Sequence, residues 1–252
     1  MSGGHRKSSY CVDHQWVGQA DCSHCPIRNL MLFSQLPQDS FDHLLRPIDN
    51  EHYPSGSLLC EQGASGRELF SIRRGLVKLT LLAPDGNERI VRLLGKGAVV
   101  GLELLDRQIT YKHTAVAIQD VDLCRIPLVT MQDLEQRHPE LCRNVRHQLL
   151  FHLDRADDWI RHLNTGKART RVAELLLLLE EVAPDRNGDI ELVSRDDMAS
   201  IADITKETAS RIIAEFKRHG LISKVAANTY RLSSQQLRDL IVRESQTKES
   251  DC

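Results

Sequence analysis

The sequence predicts an α+β protein: an N-terminal antiparallel β-roll, then a long helix, then a C-terminal winged helix-turn-helix. Three observations carry this. Eight of the 14 glycines fall between residues 56 and 101, where they punctuate short β-prone runs. Residues 129–164 read as helix with a narrow apolar stripe. Further on, two amphipathic segments with capping residues flank a tight turn at Asp203-Ile204. A chain of 252 residues has room for two domains, each with a core of its own, at roughly 100–200 residues per domain.

Taken in order, residues 1–18 are polar and are expected to lack regular structure. Pro26 to Leu45 carries helical spacing at Ile27, Leu30 and Met31, and again after Pro37 at Phe41, Leu44 and Leu45. Strands are expected at Leu58–Cys60, Leu69–Ile72, Leu76–Leu82, Arg89–Leu94, Thr114–Ile118 and Leu123–Ile126. Pro84-Asp85-Gly86-Asn87 is a hairpin signal between two of them. From Val129 to Asn164 one long helix follows. Its residues Leu149, Leu153, Ala156, Ile160 and Leu163 alternate spacings of four and three, the seam of a coiled coil over about two heptads. A stripe this narrow pairs with its own copy, so a homodimer is expected; packing of the stripe on the roll is the alternative.

The last part opens with an amphipathic helix (Val172, Leu175, Leu176, Leu179) and breaks at Pro184-Asp185-Arg186-Asn187-Gly188. Ser194 then caps a helix of about eight residues, and Thr205 caps a second one that ends at Gly220. On this second helix Ala209, Ile212, Ile213 and Phe216 follow the i, i+3, i+4, i+7 rule and must face a core. Glu207, Ser210, Arg211 and Ala214 follow it two residues earlier, about 160° away at 100° per residue. That outer face suits base reading. Arg211 can pair with guanine O6 and N7, Glu207 can accept from cytosine N4, and Ser210 can bond or touch a thymine methyl. Lys206 and Lys217 add phosphate contacts. Leu221–Val225 and Thr229–Leu232 look like the strands of a wing.

Charge and hydropathy exclude other classes. With 33 basic against 35 acidic residues the formal charge is -2, so nucleic-acid binding has to be confined to a patch. Thr205 to Lys224 holds five basic residues against two acids, a local +3, and supplies that patch. The longest apolar run is Leu175 to Leu179, where a membrane span needs about 20 residues, so a cytoplasmic protein with no membrane contact is expected. No nucleophile-base constellation argues for an enzyme.

A β-roll, a long helix and a winged helix-turn-helix in this order resemble the cyclic-AMP receptor / fumarate-nitrate reduction regulator (CRP/FNR) family of bacterial transcription factors. Glu207-Thr208-Ala209-Ser210-Arg211 is similar to the E-x-x-S-R recognition pattern of its fumarate-nitrate branch. Gly101-Leu102-Glu103 looks like the Gly-Phe-Asp of that branch, and Leu123-Cys124-Arg125-Ile126-Pro127 carries its cysteine followed by Ile-Pro. The resemblance implies a cyclic-nucleotide-binding-like jelly roll and a homodimer that reads TTGAT-like palindromes in double-stranded DNA. It also implies contacts with RNA polymerase, for which the turn Asp85-Gly86-Asn87-Glu88 is a candidate surface. It divides the chain into a cysteine-containing segment (1–28), a β-roll sensor domain (29–130), a dimerisation helix (131–164), a DNA-binding domain (165–244) and a tail (245–252). Cyclic-nucleotide binders of the family clamp the phosphate with an Arg-Ser/Thr pair. Here Tyr111-Lys112-His113-Thr114 supplies only Lys112, a point charge without the bidentate fork, which argues against nucleotide sensing.

Seven cysteines are the odd feature, three of them within the first 25 residues. In a reducing compartment clustered thiols read as metal ligands or redox groups. The fumarate-nitrate branch binds an oxygen-labile [4Fe-4S] cluster through three N-terminal cysteines and a distant one. Cys22 and Cys25 match its C-x-x-C pair and Cys124 its distant ligand. The remaining N-terminal ligand would lie six to eight residues after Cys25, where Met31, Leu32 and Phe33 stand, so Cys11 becomes the candidate fourth ligand. A zinc site from Cys11, His14, Cys22 and Cys25 is the alternative, and a Cys22–Cys25 dithiol switch a third reading. His24 is a further candidate ligand, Cys60 and Cys142 are expected in the core, and Cys252 is terminal and incidental.

Overall fold

The computed structural model describes residues 14–25, 28–30, 32–82, 86, 88–106 and 109–246. Its first half is a roll of two antiparallel sheets. One holds β1 (Gln15–Gln19), β2 (Asp49–Tyr53), β4 (Glu68–Arg74), β7 (Val99–Val100) and β9 (Val121–Pro127) in the order β1-β2-β9-β4-β7. The other holds β3 (Leu58–Cys60), β5 (Val77–Leu82), β6 (Glu88–Leu94) and β8 (Thr114–Ala117) in the order β3-β8-β5-β6. Side chains from both meet in one core, among them Phe70, Ile72, Leu79, Ala115, Ala117 and Leu123. Alternation along a strand directs these residues inward. The hairpin turn at 83–85 and 87 lies outside the described residues, but Leu82 pairs with Glu88 across it.

All six expected strands are present. Three others break the apolar-run rule. β1 falls in the polar segment expected to be unstructured, and it pairs as an edge strand on β2. β2 reads Asp-Asn-Glu-His-Tyr yet lies between β1 and β9, because its neighbours supply the ladder. β7 has only two residues. Of the two helical patterns expected between Pro26 and Leu45, the described residues hold a single 3-10 turn in each, Arg28–Leu30 and Gln38–Phe41, with Pro37 ahead of the second.

The long helix is also corrected. It is two helices, α1 (Leu128–Arg137) and α2 (Leu141–Leu163). Pro139 separates them and holds His138 at φ -131°, ψ 79°, outside the helical region, as a residue before proline prefers. On α2, Leu141, Val145, His152, Trp159 and Leu163 are buried against the rest of the chain. The predicted seam lies on a different face: Leu149, Leu153 and Ile160 are exposed, and Ala156 is half-buried. Leu163 does not belong to that seam. It is 2% exposed and packs with Trp159, Val172 and Leu176 in the C-terminal core. At 100° per residue its direction matches that of Val145, so it turns toward its own chain. Leu150, which the seam spacing omits, is 61% exposed and widens the stripe.

The C-terminal domain contains α3 (Ala168–Val182), β10 (Ile190–Glu191), α4 (Arg195–Ala202), α5 (Lys206–Arg218), β11 (Ile222–Lys224), β12 (Thr229–Leu232) and α6 (Ser234–Gln246). It is docked on the roll, since Leu76, Ile90 and Leu93 share its core. Lys78 on β5 forms a 2.6 Å ion pair with Asp197 on α4. Gly95, just after β6, packs its backbone on the end of α3 so closely that an added Cβ would overlap the Val182 carbonyl. Gly95→Ala is therefore expected to cost about 1–3 kcal/mol, the usual price of overpacking, read from the urea midpoint. A loss below about 0.5 kcal/mol would show that the junction yields.

Candidate DNA interface and thiol site

The reading element is built from caps outward. Ser194 Oγ accepts the Asp197 N–H at 3.0 Å, and Asp197 in return accepts the Ser194 hydroxyl at 2.8 Å. Thr205 Oγ1 accepts the Thr208 N–H at 3.2 Å and opens α5. Between the helices Asp203 adopts the left-handed conformation, φ 49°. A clamp holds this turn. Arg171 of α3 donates to the carbonyls of Ala202 (2.7 Å) and Asp203 (3.2 Å), satisfying acceptors that the end of α4 leaves open, and to the Gly166 carbonyl (2.6 Å) in the turn ahead of α3. Sequence reasoning missed Arg171, since an arginine on an amphipathic helix reads as a solvated side chain.

On α5 the two predicted faces separate as the arithmetic requires. Ala209, Ile212, Ile213 and Phe216 are buried; Lys206, Glu207, Ser210, Arg211 and Ala214 are exposed. Lys206 pairs with Asp196 at 2.8 Å across the turn. Lys217 is engaged as well: Nζ donates to the Tyr230 hydroxyl at 2.8 Å and sits 4.6 Å from that ring's centroid. The lysine thereby ties the recognition helix to the wing, where β12 pairs with both β11 and β10. Arg231 of β12 is held by two bonds to Asp189, 2.7 and 2.8 Å.

Two of the thiols, Cys22 and Cys124, share the core on which α1 and the start of α2 pack. Cys124 is buried on β9, opposite Asn50 of β2 and Ser71 of β4. Its thiol donates to Asn50 Oδ1 at 3.5 Å, and that oxygen also accepts from Arg73 at 2.8 Å. The segment bearing Cys22 and Cys25 is tied down by the Ala20 N–H to Ile48 carbonyl bond, 2.7 Å. Cys22 packs on the core that contains Cys124. Burial pushes the Cys22 thiol up to about 12, with Cys124 and Cys25 adding to the shift. Burial also raises Cys124 to about 11; Arg73 opposes the shift and Cys25 adds to it.

Among the described residues, no group of three or more His, Cys, Asp or Glu side chains stands at metal-ligand spacing. Cys11 lies outside the described residues, as does Cys252. His14 stacks on Tyr53 at 5.1 Å and stands 3.9 Å from Glu51, away from a Cys22–Cys25 pairing. His24 is exposed and bonds to Asp21 at 3.0 Å. Cys60 is buried as expected, whereas Cys142 is exposed, a correction that follows from its place on the outer side of the first turn of α2. In the roll Glu103 accepts the Lys112 N–H at 3.0 Å. No described helix is long and apolar enough to cross a membrane.

Comparison with known proteins agrees with this architecture. The cyclic nucleotide-binding domain matches residues 50–138, and the Crp-like helix-turn-helix domain matches residues 170–240. The transcriptional regulator LdrP of Thermus thermophilus is 30% identical over 176 residues, 68% of this chain and 86% of its own. The transcriptional activator protein anr of Pseudomonas aeruginosa is 26% identical over 87% of this chain and 91% of its own. Among solved structures, FixK2 from Bradyrhizobium japonicum superposes with a TM-score of 0.68 at 22% identity, over 77% of this chain and 96% of that one. With a roll, a capped helix-turn-helix and a wing in the matching order, the chain belongs to the CRP/FNR family of DNA-binding transcriptional regulators.

Proposed function

We propose that the protein is a homodimeric transcription factor that senses oxygen or redox state through a thiol-ligated [4Fe-4S] cluster and binds TTGAT-like palindromes. The observation that supports this reading is the packing of Cys22 on the core that holds Cys124, with Cys25 near enough to raise both thiols; the same core receives Leu141 and Val145 of α2. Thiol donors suit a thiophilic centre better than a hard cation, and no set of three ligands stands at metal-ligand spacing among the described residues, so a cluster would have to draw the thiols together. Cys22, Cys25, Cys124 and Cys11 would hold the cluster. When bound it would supply a redox-labile cross-link between the N-terminal segment and β9. The chain's own residues do the rest: Asn50 and Arg73 position the Cys124 thiol, and α2 carries a displacement from that core toward the DNA-binding domain. A metal that binds one arrangement better shifts the population toward it.

Purification without oxygen, with assays of iron, sulfide and visible absorption, tests the cluster. About four irons per protomer that vanish in Cys124→Ala and Cys11→Ala are expected. A colourless, iron-free dimer that still binds its operator would sink the proposal, and stoichiometric zinc would establish the zinc alternative.

In the proposed complex the exposed face of α5 enters the major groove of each half-site. Arg211→Ala should then cost roughly 1–3 kcal/mol on the operator and relax one base position. Equal losses on operator and random DNA would contradict base reading. Lys217→Ala should weaken both DNAs alike, because it unfastens the wing.

The exposed stripe of α2 is the proposed dimer seam, with Leu149, Leu153 and Ile160 at its centre and Ala156 at its edge. Leu153→Asp should turn the dimer into a monomer in sedimentation and weaken operator binding at least tenfold. Leu163→Asp should unfold the C-terminal domain instead. A Leu153→Asp protein that remains dimeric would place the seam elsewhere.

A further inference from the structure

The front of the recognition helix carries a charge that its neighbour cancels. Lys206 is the first residue of α5, the end of such a helix that meets base edges and phosphates. Its ammonium does not lie free along that face. It reaches back across the turn to Asp196 in the first turn of α4, Nζ to Oδ2 2.8 Å. Both side chains stand in water, 56% and 71% exposed, so the pair adds little to stability. The two helix caps are closed without it, by Ser194 with Asp197 and by Thr205 with Thr208.

Charge around the motif gives the pair its weight. From Ser194 to Lys224 six basic residues stand against five acids, so the local +3 of Thr205 to Lys224 falls to +1 once α4 and the turn are counted. Two of those acids answer bases outside this stretch: Asp197 pairs with Lys78 and Glu215 with Arg169. Asp196 instead neutralises a base of the reading element itself. Attraction to DNA phosphates is independent of sequence and grows with the number of phosphates neutralised. A lysine beside a carboxylate brings no net charge to the backbone. The strength of the pair does not alter this, because a phosphate that draws the ammonium away also meets the carboxylate left behind.

We infer that Asp196 is a positioning residue that withholds Lys206 from the phosphates and so lowers binding to DNA of any sequence, leaving recognition to Glu207, Ser210 and Arg211. The phosphate contact that the sequence alone suggests for Lys206 is thereby withdrawn. Non-specific sites outnumber an operator by about 10⁶ or more, so weakening this attraction decides how much protein is left to find its site. The inference rests on the entry of α5 into the major groove, on which Arg211→Ala reports separately.

Salt titrations of DNA binding by the full-length protein test it, on a mixed-sequence duplex and on the operator that the wild-type protein selects from a randomised pool. Asp196→Asn keeps the shape of the side chain and removes its charge. It should bind the mixed-sequence duplex roughly tenfold tighter at low salt, with log K falling more steeply against log salt by about one for each recognition helix. Combining Asp196→Asn with Lys206→Gln should return affinity and slope to the wild-type values, since the net charge of the two positions is again zero. An unchanged slope in Asp196→Asn would overturn the inference. So would a double variant that keeps the gain, which would leave Lys206 without a part, or one that binds distinctly more weakly than wild type, which would show Lys206 already in contact with DNA. If Arg211→Ala weakens operator and mixed-sequence DNA equally, the docking of α5 fails and the inference with it. If Arg211→Ala discriminates while the Asp196→Asn slope stays put, the inference alone falls.

Discussion

The packing of one face of α2 is the constraint on which the rest of the structure depends. Near its start Leu141 and Val145 are buried with Ile48, Leu102 and Cys124. In its middle His152 lines a cavity between α2 and the roll. At its end Trp159 and Leu163 are buried with α3, α4 and α5. These positions recur at spacings of four and seven, so a straight helix presents them all in nearly the same direction. A shift that repacks the first pair cannot leave the last pair untouched, because close-packed interiors yield in discrete rearrangements. The helix is thus a single rigid element shared by the thiol side and the DNA side, which is the physical requirement for coupling between them.

The domain junction limits how such a shift is expressed. Asp197 closes the cap of α4 with Ser194 and also receives Lys78 from the roll, in a pair whose partners are each 16% exposed. Arg155 of α2 pairs with Glu181 of α3, and Gly95 lets backbone touch backbone at the end of that helix. Partly buried, well-oriented pairs specify an arrangement more than they add net stability. The DNA-binding domain therefore has a defined seat on the roll instead of swinging on a linker, and the Arg171 clamp on the Asp203 turn extends that definition to the recognition helix.

Most of the architecture was legible wherever periodicity and punctuation coincided. The six apolar strands, both capped helices and the two faces of α5 all followed from spacing. What escaped depended on partners far away in the chain. β1 and β2 are polar strands that exist because a ladder was available beside them, and no local pattern announces that. Pro139 was visible, but the apolar positions on either side of it concealed the break. Leu163 satisfied a heptad count and still faces inward, because a seven-residue repeat drifts about 20° per heptad on a straight helix. At the site, the family resemblance brought Cys22, Cys25 and Cys124 to attention, and the fold packs Cys22 on the core that holds Cys124. Neither Arg171 nor the buried His152 has a sequence signature, since each is defined by what surrounds it.

The exposed stripe on α2 and the small charge on α5 make sense together. A local charge of +3 on a protein whose total is -2 gives each recognition helix only a few phosphate contacts, too few for tight binding at physiological salt. Linking two such helices changes the arithmetic. Once the first half-site is engaged, the second is met at an effective concentration in the millimolar range, and avidity can exceed either single affinity by roughly 10²–10⁴. That gain exists only when both helices arrive at the half-site spacing together, one turn of DNA apart. Modest charge would therefore make the geometry of the proposed dimer decisive. In the proposed dimer, moving α2 would be enough to switch the regulator, with no change needed in the side chains that would touch the bases.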